Sequence, residues 1–400
     1  MSDRPSELPV PEGEYFESNR FAGLSLLLGV IGFVALGLCV IGAFVAPTEF
    51  SFCWLFSFGF FFTLCVGCFF WTIVHHAVDA EWSVVVRRQL ENLGVLMWVL
   101  LLFFVPVLLL RHHLYGWMDV PLGVDPVLDS KRGYLNWGFF LGRSVIYFAF
   151  FIIAALLLRR FSIRQDKDGN PLFTVRLRKV AFVSLPLFAL CLTFGACDWF
   201  MTLNYKWFST MWGVYIFAGM ACASMSLLVL VITGLRQAGY LKDVVTVEHY
   251  HIMGKWMLAF TIFWAYIGFG QYMLIWYANI PEETQYFLAR NTQSWWSLST
   301  ILVVGRFFVP FAILLLQSIK KHPHQLCWMA WWILGMQLLD VYIIILPALH
   351  GTGVHVTIWN FIPLVGMGAI LAFVYLRLLA QSSLFPVRDP RLIESIRLVN

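Results

Sequence analysis

Long apolar runs separated by short polar stretches dominate this chain. Ten of the runs are about 18 to 26 residues long, the length that an α-helix needs to cross the roughly 30 Å hydrocarbon core of a bilayer. We place them at Phe21–Ala46, Phe50–Val74, Leu93–Leu110, Trp137–Leu158, Val180–Phe200, Trp212–Thr233, Lys255–Trp276, Leu298–Gln317, Leu326–Leu346 and Ile358–Leu379. The pattern predicts an all-α polytopic membrane protein with about ten transmembrane helices.

Composition supports this prediction. Hydrophobic residues make up 60% of the chain and charged residues only 12%, whereas roughly 25% charged residues are typical of a soluble domain. The net charge of +5 resides in loops and tails, and the chain has neither a P-loop nor a GxGxxG motif. We therefore expect no nucleic-acid partner.

The distribution of basic residues predicts the orientation. With the N-terminus inside, 20 Lys and Arg lie on inner segments and 5 on outer loops, a strong positive-inside bias. Both termini are expected in the cytoplasm, as tails 1–20 and 381–400, and the spans divide into halves 21–205 and 206–380. The basic segment Arg159–Lys179 is predicted as an inner loop containing a turn at Asp166–Pro171. The segment Glu81–Glu91 is predicted to form a short amphipathic helix on the inner surface.

Ionisable residues inside membrane spans are functional candidates. In the second half, Glu248, His251 and Lys255 follow i, i+3, i+7 spacing, which predicts one shared face at the inner entrance of the seventh helix. The same predicted path then includes Tyr266 on that face, Arg306 in the eighth helix and Asp340 in the ninth. Such groups can pass protons through intervening water. The alternative is structural: an Arg–Asp pair that ties two helices, with the inner residues only reaching the interface.

The first half has two further groups of candidates. His75, His76 and Asp79 gather at the inner end of the second helix and could extend a proton pathway. Near the outer side, Asp198 could form a quinone site together with Arg143 or His113. Alternatively, Arg143 only neutralises Asp198, and this is the interpretation that we favour.

No motif predicts a bound metal or haem. The eight cysteines lie in or next to apolar runs, and Cys65 and Cys68, the only close pair, fall inside a membrane helix. No Cys-x-x-Cys-His motif occurs, the histidines cluster at helix ends, and His350 and His355 have no other histidine nearby. We expect this chain to bind neither metal nor haem.

Three segments carry a resemblance to a known family. Cys197–Gly219 contains Asp-Trp, Trp-Phe-Ser-Thr and Gly-Val-Tyr-Ile-Phe-Ala-Gly, and it is joined by Gly254–Thr284 and Arg164–Gly169. These resemble the membrane subunits of alternative complex III, in particular the second quinone-binding-type subunit of quinol:cytochrome c oxidoreductase. The resemblance is strongest over Tyr134–Thr284. One departure is Asn204–Lys206, which stands where the family pattern has an acid-Pro-His triplet.

The resemblance implies a polysulfide-reductase-type fold in a bacterial inner membrane. Helices 2–5 and 6–9 would form two four-helix bundles, flanked by helices 1 and 10. The implied partners are a homologous quinol-binding membrane subunit and subunits carrying haem c and iron–sulfur clusters. A terminal oxidase is a further candidate partner, and lipids would surround the spans. The chain itself would carry no cofactor and would serve as a route for protons.

The sequence therefore favours an accessory, non-catalytic subunit of a respiratory quinol-oxidising complex that supports assembly and conducts protons. A first alternative is a membrane anchor that itself binds and oxidises quinol, with Asp198 beside the quinone ring. A second alternative is a secondary transporter, whose site would require broken helices at mid-membrane in both halves.

Overall fold

The computed structural model describes residues 12–399 and is 79% helical. Within these residues, ten helices are long and apolar enough to cross a membrane. They are α1 Ala22–Val45, α2 Pro47–Ala77, α3 Glu81–Leu109, α4 Trp137–Asp168, α5 Leu172–Asn204, α6 Trp212–Gln237, α7 Val247–Ala278, α8 Ser294–Leu315, α9 Pro323–Ala348 and α10 Ile358–Leu379. The predicted all-α polytopic membrane fold is confirmed.

The helices pack as two four-membered bundles. Helices α2, α3, α4 and α5 contact one another in a closed ring, and α6, α7, α8 and α9 form a second ring. Helices α1 and α10 pack on each other and on α2. The bundles meet where α2 crosses α6, and Gly67 permits this approach, since a Cβ there would lie 2.6 Å from the carbonyl oxygen of Met220. Small residues at such crossings let membrane helices pack closely.

The third helix differs from its prediction. The predicted surface helix Glu81–Glu91 and the span Leu93–Leu110 are one nearly continuous helical unit, Glu81–Leu109. Every residue of Val84–Val95 is buried in the protein, so the placement of this segment on the membrane surface was wrong. Arg87 pairs with Asp389, and an Arg88 Nη2 lies 2.5 Å from Asp166 Oδ2. Carboxylates from distant segments of the chain thus compensate the two arginines, although hydropathy places these charged residues on the surface.

The basic segment between the fourth and fifth spans is helical rather than a loop. Helix α4 runs on to Asp168 and α5 starts at Leu172, so most of Arg159–Lys179 lies on two helical arms. The chain reverses within the predicted turn, where Gly169 has a φ of +64° that favours glycine. Pro186 lies inside α5 without ending it.

The C-terminal segment folds back onto the end of the bundles that carries most of the basic residues, here called the basic end. The Leu384 N–H donates to the carbonyl oxygen of Glu14 at 2.8 Å, and the Ser395 hydroxyl donates to Trp82 O at 3.0 Å. Arg87 and Arg391 hold the pKa of the buried Asp389 carboxyl well below its usual range. Residues 381–399 therefore form a docked cover rather than a free tail.

Both ends of the described chain lie at the basic end, as an even number of spans requires. Residues 1–11 of the predicted tail 1–20, and residue 400 of the tail 381–400, lie outside the described residues. The cytoplasmic orientation of this end stays a prediction, as does the division into halves at residues 205 and 206.

Candidate functional site

An ion pair lies inside the second bundle, in the half away from the basic end. Arg306 of α8 places its Nη1 3.2 Å from Asp340 Oδ2 of α9, and both side chains are almost fully buried. The Tyr215 hydroxyl donates to Asp340 Oδ1 at 2.6 Å, and the Trp264 indole N–H donates to Oδ2 at 3.2 Å. Helices α6, α7, α8 and α9 thus each supply one residue to a single carboxylate site.

Local backbone geometry directs Arg306 into the bundle. Val304–Phe308 form a π-helical turn, a feature that interrupts α-helices and is frequent at functional sites. Gly219 lies opposite on α6, and a Cβ there would come within 2.9 Å of an Arg306 guanidinium nitrogen. The guanidinium occupies the space that the missing side chain leaves.

Arg306 also begins a short chain of hydrogen bonds toward the first bundle. Its guanidinium donates to Gln337 Oε1, and Gln337 Nε2 donates to the Thr63 hydroxyl of α2 at 3.3 Å. The Thr63 hydroxyl donates in turn to Phe60 O at 2.7 Å. Sequence reasoning missed Gln337, Thr63, Tyr215 and Trp264, since it considered mainly residues that carry a charge. Their only signal is a polar atom within an apolar span.

The predicted inner entrance on α7 is only partly assembled. Glu248 Oε2 lies 3.6 Å from His251 Nδ1, and Lys321 of the short helix Gln317–Lys321 donates to Glu248 Oε1 at 2.7 Å. Lys255 and Tyr266 are on the outward surface, with Tyr266 69% exposed. Tyr266 also lines a cavity that extends to Asp340, so its place on the predicted path stays a prediction, as does that of Lys255.

Lys255 and Tyr266 face outward because the opposite side of α7 packs into the bundle. Met253, Met257, Thr261 and Trp264 are buried at helical spacing on the side away from Lys255. The two methionines are fully buried and lie between the level of the Glu248 pair and that of Trp264. An apolar layer along α7 therefore separates the inner entrance from the Asp340 site.

In the first bundle, Asp198 and Arg143 form the pair that we favoured over a quinone site. Arg143 Nε and Nη2 donate to the two carboxylate oxygens at 2.8 and 2.9 Å, and the Tyr147 hydroxyl adds a third bond at 2.9 Å. Asp198 is 0% exposed. His113 does not join this group: it is exposed, and its Nδ1 lies 3.1 Å from the hydroxyl of Thr48.

The three remaining candidates lie near the basic end. His76 Nε2 is 3.5 Å from Glu91 Oε1, whereas the buried His75 packs its ring edge-on against Trp82. Asp79 accepts from Arg391 of the C-terminal segment at 2.7 Å and also pairs with Arg178 of α5. Asp79 thus helps to hold residues 381–399 against the bundle.

A cavity of about 700 Å³ lies beside Asp340, between α7, α8 and the short helix Pro281–Arg290. Its polar lining includes Gln271 and Arg290. The Arg290 guanidinium donates to the carbonyl oxygens of Ile343 and Ile344 at 3.0 and 2.8 Å, and burial lowers its pKa. The remaining walls are mainly aromatic and aliphatic side chains.

Among residues 12–399, no group of three or more His, Cys, Asp and Glu is arranged to hold a metal ion. The chain matches no protein-family model, and a search of curated proteins gives no match either.

Proposed function

We propose that this chain is a membrane subunit of a respiratory quinol-oxidising complex of the alternative complex III type. It supports assembly of the complex and carries protons beside partner subunits that oxidise quinol. The family part of the proposal rests on the resemblance over Tyr134–Thr284. The expected partners are a homologous membrane subunit and subunits with haem c and iron–sulfur clusters.

The observation that supports a proton role is the Asp340 site. Its carboxylate accepts from the Tyr215 hydroxyl and faces Arg306, and it lines a cavity large enough for several water molecules. A carboxylate between a hydroxyl and a guanidinium can gain or lose a proton when its surroundings change. The Arg306–Gln337–Thr63 chain extends the polar region toward α2.

The transporter alternative finds less support. Helix α8 is interrupted by its π-helical turn, but α4, which holds the corresponding place in the first bundle, is one continuous helix. A transporter site built from matching broken helices would need an interruption in both.

Co-purification tests the family part of the proposal. The tagged chain, extracted from its native membrane in mild detergent, should bring with it a multihaem c-type subunit and a second polytopic subunit. A haem spectrum of the purified material gives the readout. Recovery of the chain without any haem-bearing partner would refute the proposal.

The proton role needs a second measurement on complexes in proteoliposomes. Asp340→Asn should leave quinol turnover in place but lower the number of protons moved per electron. Tyr277→Phe is the matched control, because Tyr277 is 82% exposed on α7 of the same bundle, is not among the residues that line the cavity, and its change should alter neither quantity. An unchanged proton-to-electron ratio in Asp340→Asn would make the site structural.

A further inference from the structure

The cavity beside Asp340 has the shape of a site reached from the lipid. Phe269 and Phe308 stand at its outer rim and are largely exposed on the surface that a bilayer would cover. The cavity then runs inward between α7 and α8 to Asp340 and Trp264. A volume of about 700 Å³ lies within the range of small-molecule sites in proteins.

One polar group in the cavity wall lacks a partner. Gln271 is only 7% exposed, and its Oε1 has no hydrogen-bond partner among the described residues. Leaving a buried acceptor unpaired is unfavourable, so such an atom indicates a missing donor. The side chain lines the cavity, so a bound molecule can supply that donor.

The charged groups around Gln271 narrow the choice of ligand. Asp340 is compensated by Arg306, and none of the ion pairs within residues 12–399 gives Arg290 a carboxylate. Arg290 stacks on Tyr286, with the guanidinium carbon 3.4 Å from the ring centroid, and burial raises the pKa of that tyrosine to about 12. The site therefore offers an acceptor at Gln271, a fixed cation at Arg290 and aromatic walls.

We infer that this cavity binds the ring of a membrane-soluble hydroquinone. A hydroxyl of the ring donates to Gln271 Oε1, a ring oxygen accepts from the guanidinium of Arg290, and the apolar tail leaves between α7 and α8. The aromatic walls suit a flat ring, with Trp264 and Trp296 among the lining residues. A phosphodiester group fits less well, because it offers acceptors to Arg290 but no donor to Gln271.

This inference rests on the proposed function, since it gives the quinol of that complex a site in this subunit. The inferred site lies in the second bundle, whereas the sequence suggested a quinone site at Asp198 in the first. The carboxylate of Asp198 is fully buried and already accepts three hydrogen bonds, whereas the cavity in the second bundle has an acceptor to offer.

Equilibrium binding tests the inference on the detergent-purified chain, with its partners where they co-purify. The probe is a decyl-substituted benzohydroquinone. Gln271→Leu, which keeps the size of the side chain and removes the acceptor, should weaken binding about tenfold. Gln165→Leu is the matched control: Gln165 is equally buried but lies near the basic end of α4, and its replacement should leave the affinity unchanged. Equal affinity of the wild type and Gln271→Leu would overturn the inference.

A second measurement uses the unmodified protein and so does not depend on the folding of a variant. A photoreactive azidobenzoquinone should label peptides of α7 and α8, and the decyl hydroquinone should suppress the labelling. Labelling confined to α4 and α5 would overturn the inference, as would suppression by phosphatidylglycerol but not by the hydroquinone.

The two proposals can fail separately. A haem-bearing partner together with binding that is insensitive to Gln271→Leu would leave the proposed function standing and refute this site. Binding that depends on Gln271, in a chain that purifies without such a partner, would support the site and refute the respiratory assignment.

Discussion

The two bundles contain the same buried pair in corresponding places, yet in different surroundings. In each bundle the third helix supplies an arginine and the fourth an aspartate: Arg143 with Asp198, and Arg306 with Asp340. Arg143 donates to both carboxylate oxygens of Asp198, and that carboxylate is fully buried. The second arginine contacts one oxygen and divides its remaining bonds between Gln337 and Met336 O, and its partner Asp340 lines a cavity.

This difference distinguishes an ion pair that only holds two helices together from an ion pair at a candidate functional site. A carboxylate with all its bonds satisfied and no access to solvent or ligand has little reason to change its charge. A carboxylate held by one guanidinium nitrogen, a hydroxyl and an indole, at the wall of a cavity, can exchange partners. A buried Arg–Asp pair alone therefore does not indicate function, whereas a cavity beside the carboxylate does.

The largest effect is expected from Asp198→Asn. The change leaves Arg143 buried without its counter-charge, which costs about 3–5 kcal/mol in comparable buried pairs. We expect poor recovery of folded protein, and a thermal unfolding midpoint in detergent far below that of the wild type. Replacing both partners, as Asp198→Asn with Arg143→Gln, should restore much of the loss. Wild-type stability in the single variant would contradict the structural role of this pair.

Asp340→Asn should destabilise the protein less, by roughly 1–3 kcal/mol. Arg306 keeps Gln337 and Met336 O as acceptors, and water in the cavity that position 340 lines can hydrate the changed side chain. The measurement is the same unfolding midpoint, taken beside that of Asp198→Asn. If the second-bundle variant loses as much stability as the first, the contrast between a closed and an accessible pair is wrong.

Added ligand should act on the second bundle alone. A decyl benzohydroquinone at ten times its dissociation constant should stabilise the wild type by about 1.4 kcal/mol, through binding to the folded state. The shift should disappear in Gln271→Leu and persist in Gln165→Leu. A shift of equal size in Gln271→Leu would place the ligand elsewhere.

The smallest effects concern the two tyrosines that donate to these carboxylates. Tyr147→Phe should cost about 1 kcal/mol, because the enclosed Asp198 has no replacement for the lost donor. Tyr215→Phe should cost less, since water in the cavity can donate to Asp340 instead. Unfolding of both variants in parallel gives the comparison, and the reverse order of losses would argue that the cavity holds no water.

The sequence by itself determined the number and approximate positions of the spans. A helix must bury about twenty apolar residues to cross a bilayer, so each crossing leaves a signal that does not depend on its neighbours. The predicted Ile358–Leu379 coincides with α10, and Trp137 and Trp212 begin α4 and α6 as expected. Arg306 and Asp340 were also identified this way, because an ionisable residue in a span stands out against its apolar context.

Only the tertiary structure decided what each polar residue contacts. Hydropathy placed Glu81–Glu91 on the surface, because it cannot register that Asp389 and Asp166 compensate its arginines. Spacing grouped Lys255 with Glu248, but whether that face of α7 turns inward depends on the helices packed against the other side. Gln271 carries no charge, and its oxygen can be identified as buried and unpaired only once α7, α8 and Pro281–Arg290 surround a cavity. Crossing a membrane is a property of one segment, whereas a site is a property of several segments at once.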